Sequence, residues 1–391
     1  MTTDNLQLNP MVTETPLYIT SAGALEEAAK KMSLAPLVAV DLEADSMYHF
    51  EEKVCLLQMA TEKSCFIIDP LALPDLSCLE PVFSSTAIVK IFHGADYDVR
   101  SLHRDFGFCI ENLFDTELAC RFLGYPRSSL EAVLKKHFNA TLDKKYQKKD
   151  WSIRPLPEEM IAYAADDVRY LADLYRILTA ALIEKDRLKC AMETCKDLCR
   201  VRSGENTESD RPLFMNIKGA GRLDPRSLAV LENMALFRQN AAKKKDRPPY
   251  KVISNTALLE IAQKKPDNTS RLYRSGILSK KQCQMYGESI VKAISDALEI
   301  PEEALPVYEK TKKRPSSPAT VRRIDALKKW RTRKADQLEI DPAMLINNTA
   351  IQKIAVEAPQ NIPELQSIGV LRRWQLETFG EQWIDAVKKA G

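Results

Sequence analysis

No run of apolar residues in this chain approaches the roughly 20 needed to cross a bilayer, and its first residues lack a charged start followed by an apolar stretch. Neither a membrane span nor a secretory leader is expected. Cysteines number nine, an odd count that cannot all pair internally, and Cys190, Cys195 and Cys199 cluster without a nearby histidine or a CxxC pair. That usage fits a reducing compartment and argues against a structural zinc site. The chain has no Walker-type nucleotide loop and no dimerisation heptad, so a nucleotide cofactor is not expected. A cytoplasmic monomer with no membrane partner is the expectation.

What is present suffices for several packed cores. With 391 residues and 45% hydrophobic content, the chain exceeds one usual domain. Its charge is unevenly divided: residues 1–185 carry 19 Lys and Arg against 28 Asp and Glu, and the remainder 38 against 26. The overall +3 thus hides an acidic first part and a basic second part. The first suits a domain that collects cations; the second suits a polyanion partner, or solvated helix faces.

The most informative segment is Val38-Ala39-Val40-Asp41-Leu42-Glu43. If it is a strand, Asp41 and Glu43 point to one face while Val40 and Leu42 point to the other. Two like charges sharing a site raise their own pKa or require a cation, and oxygen-rich sites suit hard ions such as Mg2+ or Mn2+. Ala87 to Phe92 reads as a second strand, His93-Gly94 as a turn, and then a helix is spaced through Val99, Leu102 and Phe106, with Asp98 near its start. Pro157 to Leu182 reads as one long amphipathic helix with Tyr163 and Asp167 four apart, hence on one face. Taken alone, each feature has a plainer reading: an exposed strand end, a helix-start acid, a half-buried core tyrosine.

In combination these residues resemble the ribonuclease D family of DEDD exonucleases. Asp41-Leu42-Glu43, Phe92-His93-Gly94-Ala95 with Asp98, and Tyr163 to Val168 carry the resemblance, together with Phe114-Asp115-Thr116, Gly124-Tyr125 and Lys145 to Leu156. It covers roughly residues 17 to 185. Ala162 stands where a sister subclass has histidine, so the chain looks like the tyrosine branch, and the Tyr163 spacing selects Asp167 over its neighbour Asp166. The resemblance implies a ribonuclease-H-like α/β domain with a mixed sheet flanked by helices. It further implies two divalent cations, with Asp41 bridging both, Glu43 and Asp167 completing the first site, Asp98 holding the second, and Tyr163 orienting the attacking water. The implied activity is 3′–5′ exoribonuclease hydrolysis of phosphodiester bonds, releasing nucleoside 5′-monophosphates from RNA, especially from precursor tRNA 3′ ends. For gripping substrate, Lys144, Lys145, Lys148 and Arg154 offer cations to phosphates, and Tyr146 and Trp151 offer faces to unpaired bases. The plainer alternative makes Trp151 core and the lysines a solvated loop.

Sliding the chain against itself by 93 residues reveals a repeat: Phe237-Arg238 meets Trp330-Arg331, Ile253 to Ala257 meets Ile346 to Ala350, and Gly276 meets Gly369. A constant offset means two copies of one small helical domain. The copies resemble the HRDC domain. Expected boundaries are a tail over 1–16, the exonuclease domain over 17–200, a linker over 201–223, HRDC bundles over 224–298 and 319–391, and a linker over 299–318 between them. Arg322, Arg323, Lys328, Lys329, Arg331, Arg333 and Lys334 crowd the first helix of the second copy, as RNA contacts or as a solvated face. Two rival functions stay open: a single-stranded DNA exonuclease, since nothing in the four acids senses a 2′-hydroxyl, and an inert RNA-binding protein.

Overall fold

The alternation that begins at Leu37 does produce a strand, and its register decides the site. In the computed structural model, which describes residues 15–203, 211–308 and 317–391, six strands form one mixed sheet. They are β1 (Leu17–Ile19), β2 (Leu37–Ala44), β3 (Val54–Ala60), β4 (Cys65–Ile68), β5 (Val89–Phe92) and β6 (Leu113–Asp115), in the order β1-β4-β3-β2-β5-β6. β3 runs antiparallel to β2 and β4, while the β1–β4, β2–β5 and β5–β6 pairs are parallel.

Helices cover both faces, so the central strands are apolar on both sides. α1 (Ala22–Ser33), the short α2 (Glu80–Ser84) and α3 (Asp96–Phe106) pack on Val38, Val40, Leu57, Met59 and Phe66. The opposite face, with Ala39, Leu56, Ile67 and Ile91, lies under α4 (Thr116–Phe122), α5 (Leu130–Phe138), α6 (Glu158–Arg169) and α7 (Leu171–Glu184), followed by α8 (Leu188–Leu198).

The single helix expected over Pro157 to Leu182 is two helices, broken at Tyr170, where φ is −97° and ψ −9°. A straight helix of that length would run about 40 Å, well past strands of at most eight residues. The break lets Met160, Ala164 and Val168 of α6 and Leu171, Leu174 and Leu178 of α7 all bury against the same core. The Tyr170 ring packs on Phe138 at 5.3 Å between centroids.

The repeat is carried into three dimensions at the same offset. The first copy has α9 (Pro225–Lys244), α10 (Pro249–Val252), α11 (Asn255–Lys264), α12 (Thr269–Arg274) and α13 (Lys280–Leu298). The second has α14 (Pro318–Leu338), α15 (Pro342–Leu345), α16 (Asn348–Glu357), α17 (Ile362–Ser367) and α18 (Arg373–Ala390), each starting 93 residues after its counterpart. Caps repeat as well: Ser254 and Asn347 cap α11 and α16, and Asn268 and Asn361 cap α12 and α17, each accepting a backbone N–H three residues on. Arg238 donates to the Ile253 carbonyl and Asn255 Oδ1, and Arg331 donates to the Ile346 carbonyl and Asn348 Oδ1. The basic residue common to both copies therefore ties its own bundle together.

Two units form, one of residues 15–44, 54–203 and 317–391 and the other of 45–53 and 211–308. In the second unit the first bundle has its own core around Leu231, Met234, Leu258 and Ile290. Asp246 there accepts from the Phe50 N–H at 3.0 Å and lies 2.7 Å from His49 Nδ1. Gly204, Lys310, Lys312, Lys313, Arg314 and Pro315 of the expected linkers, and residues 1–14 of the expected tail, lie outside the described residues.

Within the first unit the second bundle shares one apolar core with the sheet domain. Trp374 packs edge-on to Phe122 at 5.8 Å, Arg121 Nε bonds Asp341 at 2.8 Å, and Arg187 donates to the carbonyls of Phe122 and Leu338. Glu193 accepts the N–H groups of Arg373 and Trp374. The approach is closest at Gly124, whose φ is +75° and where an added Cβ would lie 2.0 Å from the Glu339 carbonyl oxygen. Gly124→Ala is expected to destabilise the protein by about 2–4 kcal/mol through clash and left-handed strain together. Chemical unfolding of the variant beside wild type measures it, and an unchanged midpoint would mean that the two surfaces do not press together at Gly124.

Candidate active site

β2 presents Asp41 and Glu43 on the face covered by α6, because the alternation that buries Val40 and Leu42 on the other side leaves them no choice. α3 supplies Asp98 from its first turn. Its position is set by the β5–α3 turn, where Gly94 adopts φ +81° and Asp115 accepts the Gly94 and Ala95 N–H groups at 3.0 and 2.9 Å. The same carboxylate caps α4 through Glu117 N and Leu118 N. Asp115 thus pins two helix starts at once, a role its place in the Phe114-Asp115-Thr116 motif does not disclose. Tyr163 and Asp167 lie one turn apart on α6.

Electrostatics show these side chains to be neighbours. Burial and then Asp41, Asp167 and Asp98 push Glu43 up to about 10; burial raises Asp41 to about 7. Asp167 rises to about 8 through burial, Asp41 and Asp166, and Asp98 is raised through burial, Asp41 and Asp115. Among the described residues no three His, Cys, Asp or Glu side chains close into a ready-made metal cage. The donor set, all carboxylate oxygen and short of positive partners, suits a hard divalent cation.

The Tyr163 hydroxyl is raised far above the ordinary phenol range by burial and by Asp167, Glu43 and Asp41, so it remains protonated. Its ring is held by Tyr146, edge-on at 5.6 Å, and Trp151 at 6.0 Å. His93 serves the scaffold: Thr116 Oγ1 donates to the Phe92 carbonyl and lies 2.9 Å from His93 Nδ1.

The six residues expected to grip substrate divide. Lys144, Lys145 and Lys148 are exposed, with Lys144 paired to Glu131 and Lys145 5.0 Å above the Tyr146 ring, which is half-buried. Trp151 is 0% exposed, so the base-stacking role expected of it does not fit: its faces are spent on the core. Arg154 is likewise corrected as a phosphate ligand. Its five N–H groups go to Asp69, twice at 2.7 Å, and to the carbonyls of Cys55, Trp151 and Ile153. Asp69 also accepts from Tyr18, making a clamp that fixes the end of the lysine-rich loop behind Tyr163. Neither Asp69 nor Tyr18 stands out in the sequence, because Asp69 lies 51 residues from Tyr18 and 85 from Arg154.

Residues 16–183 match the 3′–5′ exonuclease domain, and residues 227–294 and 321–387 match the HRDC domain. The ribonuclease D of Desulfotalea psychrophila is 31% identical over 322 residues, covering 81% of this chain and 85% of that one. The chain belongs to the ribonuclease D family of 3′–5′ exoribonucleases. Human exosome complex component 10 is 35% identical over 268 residues, 66% of this chain, which spans only 30% of that protein's length. In three dimensions the crystal structure of Escherichia coli RNase D superposes with a TM-score of 0.72 at 24% identity, covering 96% of this chain and 99% of that one. DEDD exonucleases use divalent metal ions, and the carboxylate set here fits them.

The raised carboxyls yield a pH prediction for metal-free protein. Folded protein holds these protons more tightly than the unfolded chain, so their stabilising contribution is full below about pH 4 and is lost as pH rises through about 7 to 10. Asp41→Asn removes one repelling charge. In chelator it should melt above wild type at pH 8, with the gap closing toward pH 5; a gap constant with pH would contradict the repulsion.

Proposed function

We propose that this exoribonuclease trims the 3′ ends of structured RNAs, precursor tRNAs among them, as a cytoplasmic monomer using two divalent cations, Mg2+ or Mn2+. The observation that carries the proposal is the gathering of Asp41 and Glu43 from β2, Asp98 from the first turn of α3 and Asp167 from α6 beside Tyr163, one turn away on the same helix. On this reading Asp41, Glu43, Asp98 and Asp167 would hold the cations. When bound, the pair supplies positive charge to the attacking water, the phosphoryl oxygens and the departing 3′ oxygen.

The chain's own residues do the rest. Tyr163, too weak an acid to act as a phenolate base, accepts or donates a hydrogen bond that orients the water. Tyr146 and Trp151 hold its ring in place. Lys144, Lys145 and Lys148 are the exposed loop cations that would meet RNA phosphates. On α14 the supply is smaller than the sequence suggests: Arg322 binds the Ala390 and Gly391 carbonyls, Arg323 the Ala355 carbonyl and Arg331 the Ile346 carbonyl. Among the described residues Lys328, Lys329 and Arg333 are the exposed members without such bonds.

The test compares 5′-labelled RNA with DNA of the same sequence, with and without chelator, using Asp167→Asn as the inactive control. RNA should be shortened stepwise to 5′-monophosphates only when metal is present; faster digestion of DNA would overturn the choice of substrate. Tyr163→Phe should slow turnover by roughly 10²–10³-fold, the range for one lost positioned hydrogen-bond group, without weakening metal binding. An unchanged rate would leave Tyr163 a packing residue. Replacing Lys328, Lys329 and Arg333 with Gln should flatten the plot of log affinity for a tRNA precursor against log salt by about 2, at about 0.7 per lost single-strand contact. An unchanged slope would show that α14 faces solvent only. Substitution is the appropriate test because truncation before Ser317 would strip Trp374 from Phe122 and expose the shared core.

A further inference from the structure

Gln58 sits in the middle of β3, a strand buried along its whole length. Leu57 and Met59 on either side belong to the core under α1 and α3, whereas Leu56 and Ala60 belong to the core under α6, which puts Gln58 on the α6 face. In the β2–β3 ladder its direct partner is Asp41. Opposed residues of an antiparallel pair carry their side chains on the same face, with Cβ atoms about 4.5–5.5 Å apart. The side chain is 0% exposed, and among the described residues neither Oε1 nor Nε2 has a hydrogen-bond partner.

A buried amide in that state costs free energy that a hydrocarbon of the same shape would not. Beside it stands a carboxylate, which when ionised only accepts hydrogen bonds, while the amide nitrogen carries two donors. We infer that Gln58 is a positioning residue for Asp41: when cations draw the acids together, Gln58 Nε2 donates to the Asp41 carboxylate and sets which oxygens face the ions. A neutral amide suits this place because it favours the ionised carboxylate without adding a positive charge to compete with the cations, as a lysine would. The inference rests on the proposal that Asp41 holds divalent cations.

The experiment uses the full chain and Mn2+ itself as the probe. Calorimetric titration should give Gln58→Met and Gln58→Leu a Kd for Mn2+ about 10–100-fold weaker than wild type, the range for lost outer partners of metal ligands. Their kcat on a short oligoribonucleotide should fall in parallel while KM stays within about two-fold, since the side chain is fully buried and offers the RNA no contact of its own. In chelator both variants should melt at or above the wild-type temperature, because an unpaired buried amide has been removed. A merely structural glutamine would instead leave Mn2+ affinity and kcat within about two-fold of wild type, and that result overturns the inference. Should a variant fold poorly, the Mn2+-loaded wild-type crystal structure decides: Gln58 Nε2 within hydrogen-bond reach of Asp41 supports the role, and a separation beyond about 4 Å sinks it. Wild-type protein that binds no Mn2+ would overturn the metal proposal, a failure distinct from that of Gln58.

Discussion

Four carboxylates pressed into one recess set the terms for this fold. Each of Asp41, Glu43, Asp98 and Asp167 has its acidity weakened by burial and, except for Asp41, visibly by the others, so the metal-free protein carries an electrostatic load at neutral pH. Side chains free to move would relieve it by turning outward. They are prevented by their backbones: Asp41 and Glu43 by a strand laddered to β3 at both positions, Asp98 by a helix start that Asp115 grips, Asp167 by a helix packed flat on the sheet. The apolar core is therefore the means by which unfavourable charge is kept in place for a cation.

Arginine shows how the same chemistry serves opposite ends. An exposed guanidinium near a nucleic acid reads as a phosphate ligand, yet Arg154, Arg187, Arg238 and Arg331 all spend donors on backbone carbonyls of their own chain. Their planar fork satisfies carbonyls at helix ends and loop turns that would otherwise be stranded. Charge density along a sequence thus overstates the cations available to RNA, and on α14 it does so by three residues.

Much of this was legible in the sequence where the determining interaction is local. A period of two placed Asp41 and Glu43 together, a spacing of four placed Tyr163 over Asp167, and an offset of 93 residues doubled the helical domain with its caps in register. Non-local causes left no such trace. The break at Tyr170 depends on how far the sheet extends, the burial of Trp151 on what α6 packs against, and the engagement of Arg154 on an aspartate contributed from the end of β4. Gln58 was hidden for a related reason: one polar residue in an apolar strand acquires meaning only when the register with β2 is known.

The joining of the second bundle to the sheet domain carries the last consequence. Arg121 with Asp341, Arg187 with the end of α14, and Gly124 against Glu339 fix α14 to the elements that carry the acids. On the proposed RNA-binding reading, Lys328, Lys329 and Arg333 then meet phosphates at a set distance from the scissile bond, as a ruler does, and not as a tethered arm that samples many distances. A tether raises local concentration for any RNA. A fixed arm favours those substrates whose folded part begins at the matching distance from the 3′ end, so discrimination among RNAs can arise from spacing even though no residue in the acid cluster reads a base.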